Sequence, residues 1–192
     1  MIEITIDEML NRYAAGERNF SAIRFINDTK SKRQIGDLRC LDLREINFSG
    51  SDLSSTNFSG SDLSSAILSG ANLSHAVLEE TNLDGVIAVG TLFKRTALIL
   101  SSLRDADLTG ATFLGGGCLS TDFTGSIMRD VTMGEYTVDG SDFSNVDLEF
   151  ATIFQVDFSK ADVRGFFTTQ QAFLWQVTFP NGVYVEGPLL KD

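Results

Sequence analysis

Stepping along the chain five residues at a time from Leu38 to Val163 lands on 26 positions, and 24 of them are Leu, Phe, Met, Val or Ile. The other two, Ala88 and Cys118, also suit an interior, and the register runs through without an insertion. A helix needs apolar residues recurring at three and four and a flat strand needs them at two, so a strict period of five excludes both. Because five is odd, a straight strand would send successive central residues to alternate faces. The chain keeps them together only by turning at every repeat, which predicts a coil with corners. Two places before the centre the residue is Ala, Ser, Thr or Gly in 19 of 26 repeats, small enough to point inward beside the large one. One place before the centre it is Asp or Asn in 14 of 26, and these side chains favour turns by bonding nearby backbone. Ten glycines stand two places after the centre, Gly50, Gly60, Gly70 and Gly110 among them, where a corner needs permissive backbone.

The units SDLSS, ANLSH, TNLDG and ADLTG resemble the pentapeptide-repeat family: a small residue, Asp or Asn, Leu or Phe, then two variable positions. The resemblance covers Gly36 to Gly165, about two thirds of the chain, and implies an all-β solenoid, the right-handed quadrilateral β-helix with four repeats per coil. With four sides, 26 repeats make about 6.5 coils, and parallel strands ~4.8 Å apart give a rod roughly 31 Å long.

The expected organisation is an N-terminal helical cap with an insertion loop (1–35), the β-helix (36–165) and a C-terminal cap (166–192). Thr5 with Glu8 reads as a capping box and Ile4 with Met9 as its hydrophobic staple. A helix is predicted from Ile6 to Ala15, ended by Gly16, with Ile6, Met9, Leu10 and Tyr13 on its apolar face. RYAAGERNF, followed by the phase of Phe20 and Phe25, resembles the leader of cyanobacterial family members. Phe25 and Leu38 are thirteen residues apart, so the register slips by three within NDTKSKRQI, a loop that carries the basic cluster Lys30, Lys32 and Arg33. Beyond Gly165, Thr168 to Trp175 reads as a short helix and PNG as a turn between VTF and VYV. Phe166, Phe167, Phe173, Trp175 and Phe179 either cover the last coil together with the outward Phe150 and Phe154, or form a homodimer interface as at this end of the family's quinolone-resistance members.

Little here suggests chemistry. The single histidine, His75, falls at an outer variable position without an orienting partner in sequence, so no acid–base or nucleophilic site is expected. Cys118 is central and reads as core, Cys40 points outward, and their spacing suggests neither a disulfide nor a metal site. GGGC at Gly115–Cys118 lacks the Lys-Ser/Thr of a phosphate loop and sits in repeat phase, so it reads as a tight corner. No cofactor, no catalytic residue and no metal ligand is assigned. A net charge of −11 argues against direct nucleic-acid binding, which needs clustered cations. The first twenty residues lack the apolar run of a secretory signal and nothing resembles a membrane span, so the expected location is the cytoplasm.

Two functional readings follow. The first is a non-catalytic, protein-binding or regulatory rod, since solenoids offer flat walls to partners. Its candidate surface is Ile67, Ile87, Val89, Leu92, Ile99 and Leu100, all at nominally outward positions. The alternative, implied by the resemblance to quinolone-resistance members, is a DNA mimic that occupies a type II topoisomerase such as DNA gyrase. Its candidate is the column Asp42, Asp62, Asp122, Asp142 and Asp162, interrupted by Asn82 and Ser102 and accompanied by Arg44, Arg104 and Arg164. The column equally reads as a by-product of the Asp/Asn position. A monomer and a C-terminal homodimer are both open.

Overall fold

The computed structural model describes residues 1–27, 34, 36–165, 171–187 and the backbone of Leu189 and Leu190. Backbone pairing resolves the coil into four walls, because each Asp/Asn-phase residue bridges the one 20 residues on. The first wall stacks Asp42, Asp62, Asn82, Ser102, Asp122, Asp142 and Asp162. The second runs from Asn19 through Asn47, Ile67, Ile87, Asp107 and Ile127 to Asp147. The fourth carries Asn57, Val77, Ala97, Gly117 and Thr137. The third is the most regular. It begins with β1 (Ile2–Ile4) on β2 (Ile23–Phe25), then passes through Asp52 and Asn72 to β3 (Leu92–Lys94), β4 (Thr112–Leu114), β5 (Thr132–Gly134), β6 (Thr152–Asp157) and β7 (Phe173–Thr178), all parallel. Nine rungs from Glu3 to Phe173 make eight turns, a ladder of about 38 Å at ~4.8 Å per turn and longer than the repeat count predicts.

The extra length lies at both ends. Bridge partners Arg24 and Asp52 are 28 residues apart against 20 in the regular turns from Asp37 to Asp162, so eight additional residues lie between Phe25 and Asp37: the slip of three plus one whole repeat. Most of that segment, including Lys30, Lys32 and Arg33, lies outside the described residues. At the other end β6 and β7 pair with an offset of 21, for instance Val156 with Val177, so one residue is inserted after Asp162 and the coil then resumes. Ala172 and Val177 take the small inward phase, Leu174 the central one, and all three are buried. The helix predicted over Thr168 to Trp175 is therefore corrected: from Phe173 onward the chain is β7. The apolar residues there alternate in coil phase, and pairing with β6 outweighs local helix preference. The PNG turn is present. β8 (Tyr184–Val185) returns antiparallel on β7, and β9 (Leu189–Leu190) pairs with it as well, covering the edge that the ladder would otherwise leave open. At the start, α1 (Ile6–Ala14) is capped by Thr5, whose Oγ1 accepts the Glu8 N–H at 3.1 Å. Ile6 and Met9 are buried and Leu10 and Tyr13 pack on the core.

Every central residue from Leu38 to Phe158 is buried, and Val163 is partly so. Aromatics stack from turn to turn, Phe93 on Phe113 and Phe123 on Phe143, each pair 4.7 Å between centroids. Inward hydroxyls explain the Ser and Thr of the small phase. Ser61, Thr81, Thr91 and Thr96 donate at 2.6 to 3.0 Å to the carbonyls of Leu38, Phe58, Leu68 and Leu73 on the previous turn, so no buried hydroxyl penalty arises there. One turn departs from the pattern. Tyr136 takes a small position, and its ring crosses the site of the missing Gly116 side chain to donate to the Thr96 carbonyl at 2.9 Å, two turns away. A Cβ at Gly116 would stand 2.7 Å from that ring, so this glycine makes room for the tyrosine, while Gly115, at φ +65°, forms the corner.

Candidate functional site

Outward side chains are carried both on the walls and on the corners between them. Every corner from Cys40 to Gln155 places the residue two after the centre at positive φ, in many cases within a turn such as Ser51 N–H to Phe48 O at 3.0 Å around Gly50. The Asp and Asn before the centre hold the next corner residue: all fourteen accept the N–H of the residue two places on, at 2.7 to 3.3 Å.

The acidic column stands on the first wall, as the arithmetic of 20 residues per turn requires. Each of its five carboxylates is one of these turn acceptors. Three also face arginine: Asp42 with Arg44 at 2.7 Å, Asp122 with Arg104 at 3.6 Å and Asp162 with Arg164 at 2.5 Å. Side-chain and backbone hydrogen bonds from Arg44 lower the Asp42 carboxyl to about 2, and those from Arg164 lower Asp162 as well. Asp62 and Asp142 are left without an ion pair among the described residues, so the column carries two uncompensated carboxylates and not five.

The apolar candidates separate into two groups. Ile67 and Ile87 are bridged neighbours on the second wall, Val89 lies on the corner that follows, and Leu92 lies on the third wall. Ile87 is 44% exposed and Val89 38%, and Ile127 lies further along the second wall beyond Asp107. Ile99 and Leu100 occupy the corner between the fourth and first walls, diagonally across the rod. Sequence distance hid this, because twelve residues along the chain carry it half-way round. Leu119, beside Leu100 on the next turn, was not identified from sequence, although its phase, one place after Cys118, marks it as outward.

At the C-terminal end Phe173 and Trp175 are exposed on the third wall, with Phe154 beside Trp175 and Phe150 on the adjoining corner. Phe154 lies across Gly134, within 2.5 Å of where a Cβ would be. Phe179 instead turns toward the core and stacks on Phe158 at 6.2 Å. Phe166 and Phe167 lie outside the described residues. His75 is exposed at a corner with φ +62°. Cys40 is exposed, whereas burial pushes the Cys118 thiol up to about 12 and makes it an inert core group. Among the described residues no cluster of three or more His, Cys, Asp or Glu could hold a metal, and no helix is long and apolar enough to cross a membrane.

Four walls of stacked parallel rungs around a filled interior define a right-handed quadrilateral β-solenoid. Residues 42–79 and 76–115 match the family model for pentapeptide repeats, in eight copies. Over this stretch the chain carries pentapeptide repeats. Similar solved structures include HetL, a pentapeptide repeat protein involved in heterocyst differentiation regulation from the cyanobacterium Nostoc sp. strain PCC 7120, at 21% identity over 94% of this chain and 99% of that one, TM-score 0.32. QnrB1, a plasmid-mediated fluoroquinolone resistance protein, shares 16% identity over 79% and 92%, TM-score 0.46. The pentapeptide repeat protein alr5209 from Nostoc PCC 7120 shares 28% over 63% and 82%, TM-score 0.38. No curated protein matches the sequence. The likeness to pentapeptide repeats rests on the matched repeat and not on these overlays.

Proposed function

We propose that this chain is a non-catalytic, protein-binding rod of the cytoplasm whose contact surface is the edge formed by Ile67, Ile87, Val89 and Leu92. One observation carries this reading. At positions that the coil fills mostly with Asp, Asn, Ser or Thr, three large aliphatic residues adjoin around one corner and continue onto Val89. Such groups add nothing to the core and are best kept from water by a partner. The first wall supports the DNA-mimic alternative less well. Its carboxylates are engaged in turns and three are neutralised, whereas duplex DNA presents a charge every ~1.7 Å.

The test is affinity capture from a lysate of the encoding organism, comparing the wild-type rod, an Ile87→Glu/Leu92→Glu variant, and a variant with Asp122, Asp142 and Asp162 each changed to Lys. A protein retained by the charge-reversed rod and lost from the Ile87→Glu/Leu92→Glu rod is the expected result. Recovery of a topoisomerase subunit lost only on charge reversal would replace this reading with the mimic.

A further inference from the structure

Leu100 is in an unfavourable place on two independent counts. Its backbone has φ +57°, the left-handed region that L side chains other than Asn and Asp rarely adopt, and its side chain is 60% exposed. Among the described residues eighteen non-glycine residues have positive φ, and only Leu100 and Phe150 of these are large and apolar. Equivalent corners carry Gly, Ser, Asp and Asn, and also Glu, Arg, His, Gln and Cys, without loss to the coil, so neither packing nor hydration accounts for a leucine here. A strained and exposed position held by a costly residue points to something outside the fold.

The surroundings describe what that is. Ile99 precedes Leu100, and the Leu100 N–H donates to the Leu119 carbonyl at 2.9 Å, which sets the next turn's Leu119 beside it. The adjoining fourth wall carries Val77, Ala97 and Gly117 in one bridged column, a platform of small groups against which another chain can lie flush. One turn toward the N-terminus the same corner holds Glu79 and Glu80, both exposed and without an ion pair among the described residues. One turn beyond Leu119 stands Asp139, which binds Lys160 at 2.6 Å. The corner therefore presents carboxylates, then two apolar rungs, then a compensated carboxylate. The rungs are ~4.8 Å apart, close to the 5–6 Å between side chains three or four apart on a helix.

We propose that the corner at Ile99, Leu100 and Leu119 is a docking site for a basic amphipathic helix of a protein partner, its leucine-type side chains on the apolar rungs and a Lys or Arg on Glu79 and Glu80. The acidic rim selects a basic helix over an acidic one, and the net charge of −11 speeds its approach. The site is diagonal to Ile87 and Leu92 and stands or falls separately from that surface. Two faces of one rod then serve two contacts.

Fluorescence anisotropy with a synthetic leucine–lysine amphipathic helix tests this, with the same leucine pattern carrying glutamate as control. Leu100→Asn separates binding from folding, because Asn accepts positive φ more readily than Leu. The expected result is binding of the basic probe, weakened about tenfold or more by Leu100→Asn and by Glu79→Lys/Glu80→Lys, and unchanged by Ile87→Glu. The thermal midpoint of Leu100→Asn should equal or exceed that of the wild type. The proposal is overturned if the basic probe fails to bind, if Leu100→Asn binds it as the wild type does, if Ile87→Glu abolishes binding instead, or if the acidic control binds equally well.

Discussion

The Tyr136–Gly116 pair offers a quantitative check on how the interior is filled. Tyr136→Ala removes a buried aromatic ring and its bond to the Thr96 carbonyl, and should cost about 3–5 kcal/mol. Gly116→Ala places a Cβ 2.7 Å from the ring and 2.5 Å from the Thr96 oxygen, an overpacking worth about 1–3 kcal/mol. In the double variant the ring contact no longer exists, while the close approach of the residue 116 Cβ to the Thr96 backbone remains. Its total should fall below the sum of the single costs by about 1 kcal/mol, the part of the overpacking that the ring causes and the coupling expected of residues sharing one space. Tyr136→Phe should cost only about 1 kcal/mol, since the Thr96 carbonyl keeps the Gly117 N–H at 3.3 Å. Urea unfolding followed by far-UV circular dichroism measures all four variants, and each kcal/mol also moves the thermal midpoint by about 2–4 °C in a chain of this size. Costs that add within about 0.5 kcal/mol would refute the shared-space account.

Two further outcomes concern the surface and the cap. Asp42 has its carboxyl lowered from 3.8 to about 2, so its stabilising contribution is fully present above 3.8 and is lost as pH falls toward about 2. Asp42→Asn keeps the turn acceptor but cannot titrate, so the stability difference between wild type and variant, measured by urea midpoints, should vanish on acidification. Thr5→Ala removes the cap of α1 and should cost about 1 kcal/mol, read as a lower thermal midpoint that Thr5→Ser restores.

The coil was legible because its signal is local and redundant. One central residue in five, repeated 26 times, survives exceptions such as Ala88, and the burial of Leu38 through Phe158 follows from phase alone. The cap of α1 was legible for the same reason: Thr5 and Glu8 interact three residues apart. The C-terminal continuation was not, because a single inserted residue after Asp162 shifts the phase and makes Leu174 and Phe179 look like stray hydrophobics. Tyr136 crossing two turns to Thr96 lies beyond any window of sequence. The candidate surface was half legible. Phase tells that Ile87 and Leu100 point outward, but only the wall count shows that they face opposite ways.

The fourteen turn acceptors have one more implication. Asp and Asn offer the same oxygen to the same N–H, so at these positions the choice between them is nearly free for the backbone. Ten of the fourteen are Asp, and exchanging those ten for Asn would take the net charge from −11 to −1 with every corner still closed. Electrical character is thus decoupled from architecture in this rod. A lineage can redraw its long-range attraction for a basic partner, and with it the encounter rate and its salt dependence, by isosteric exchanges that leave the scaffold untouched.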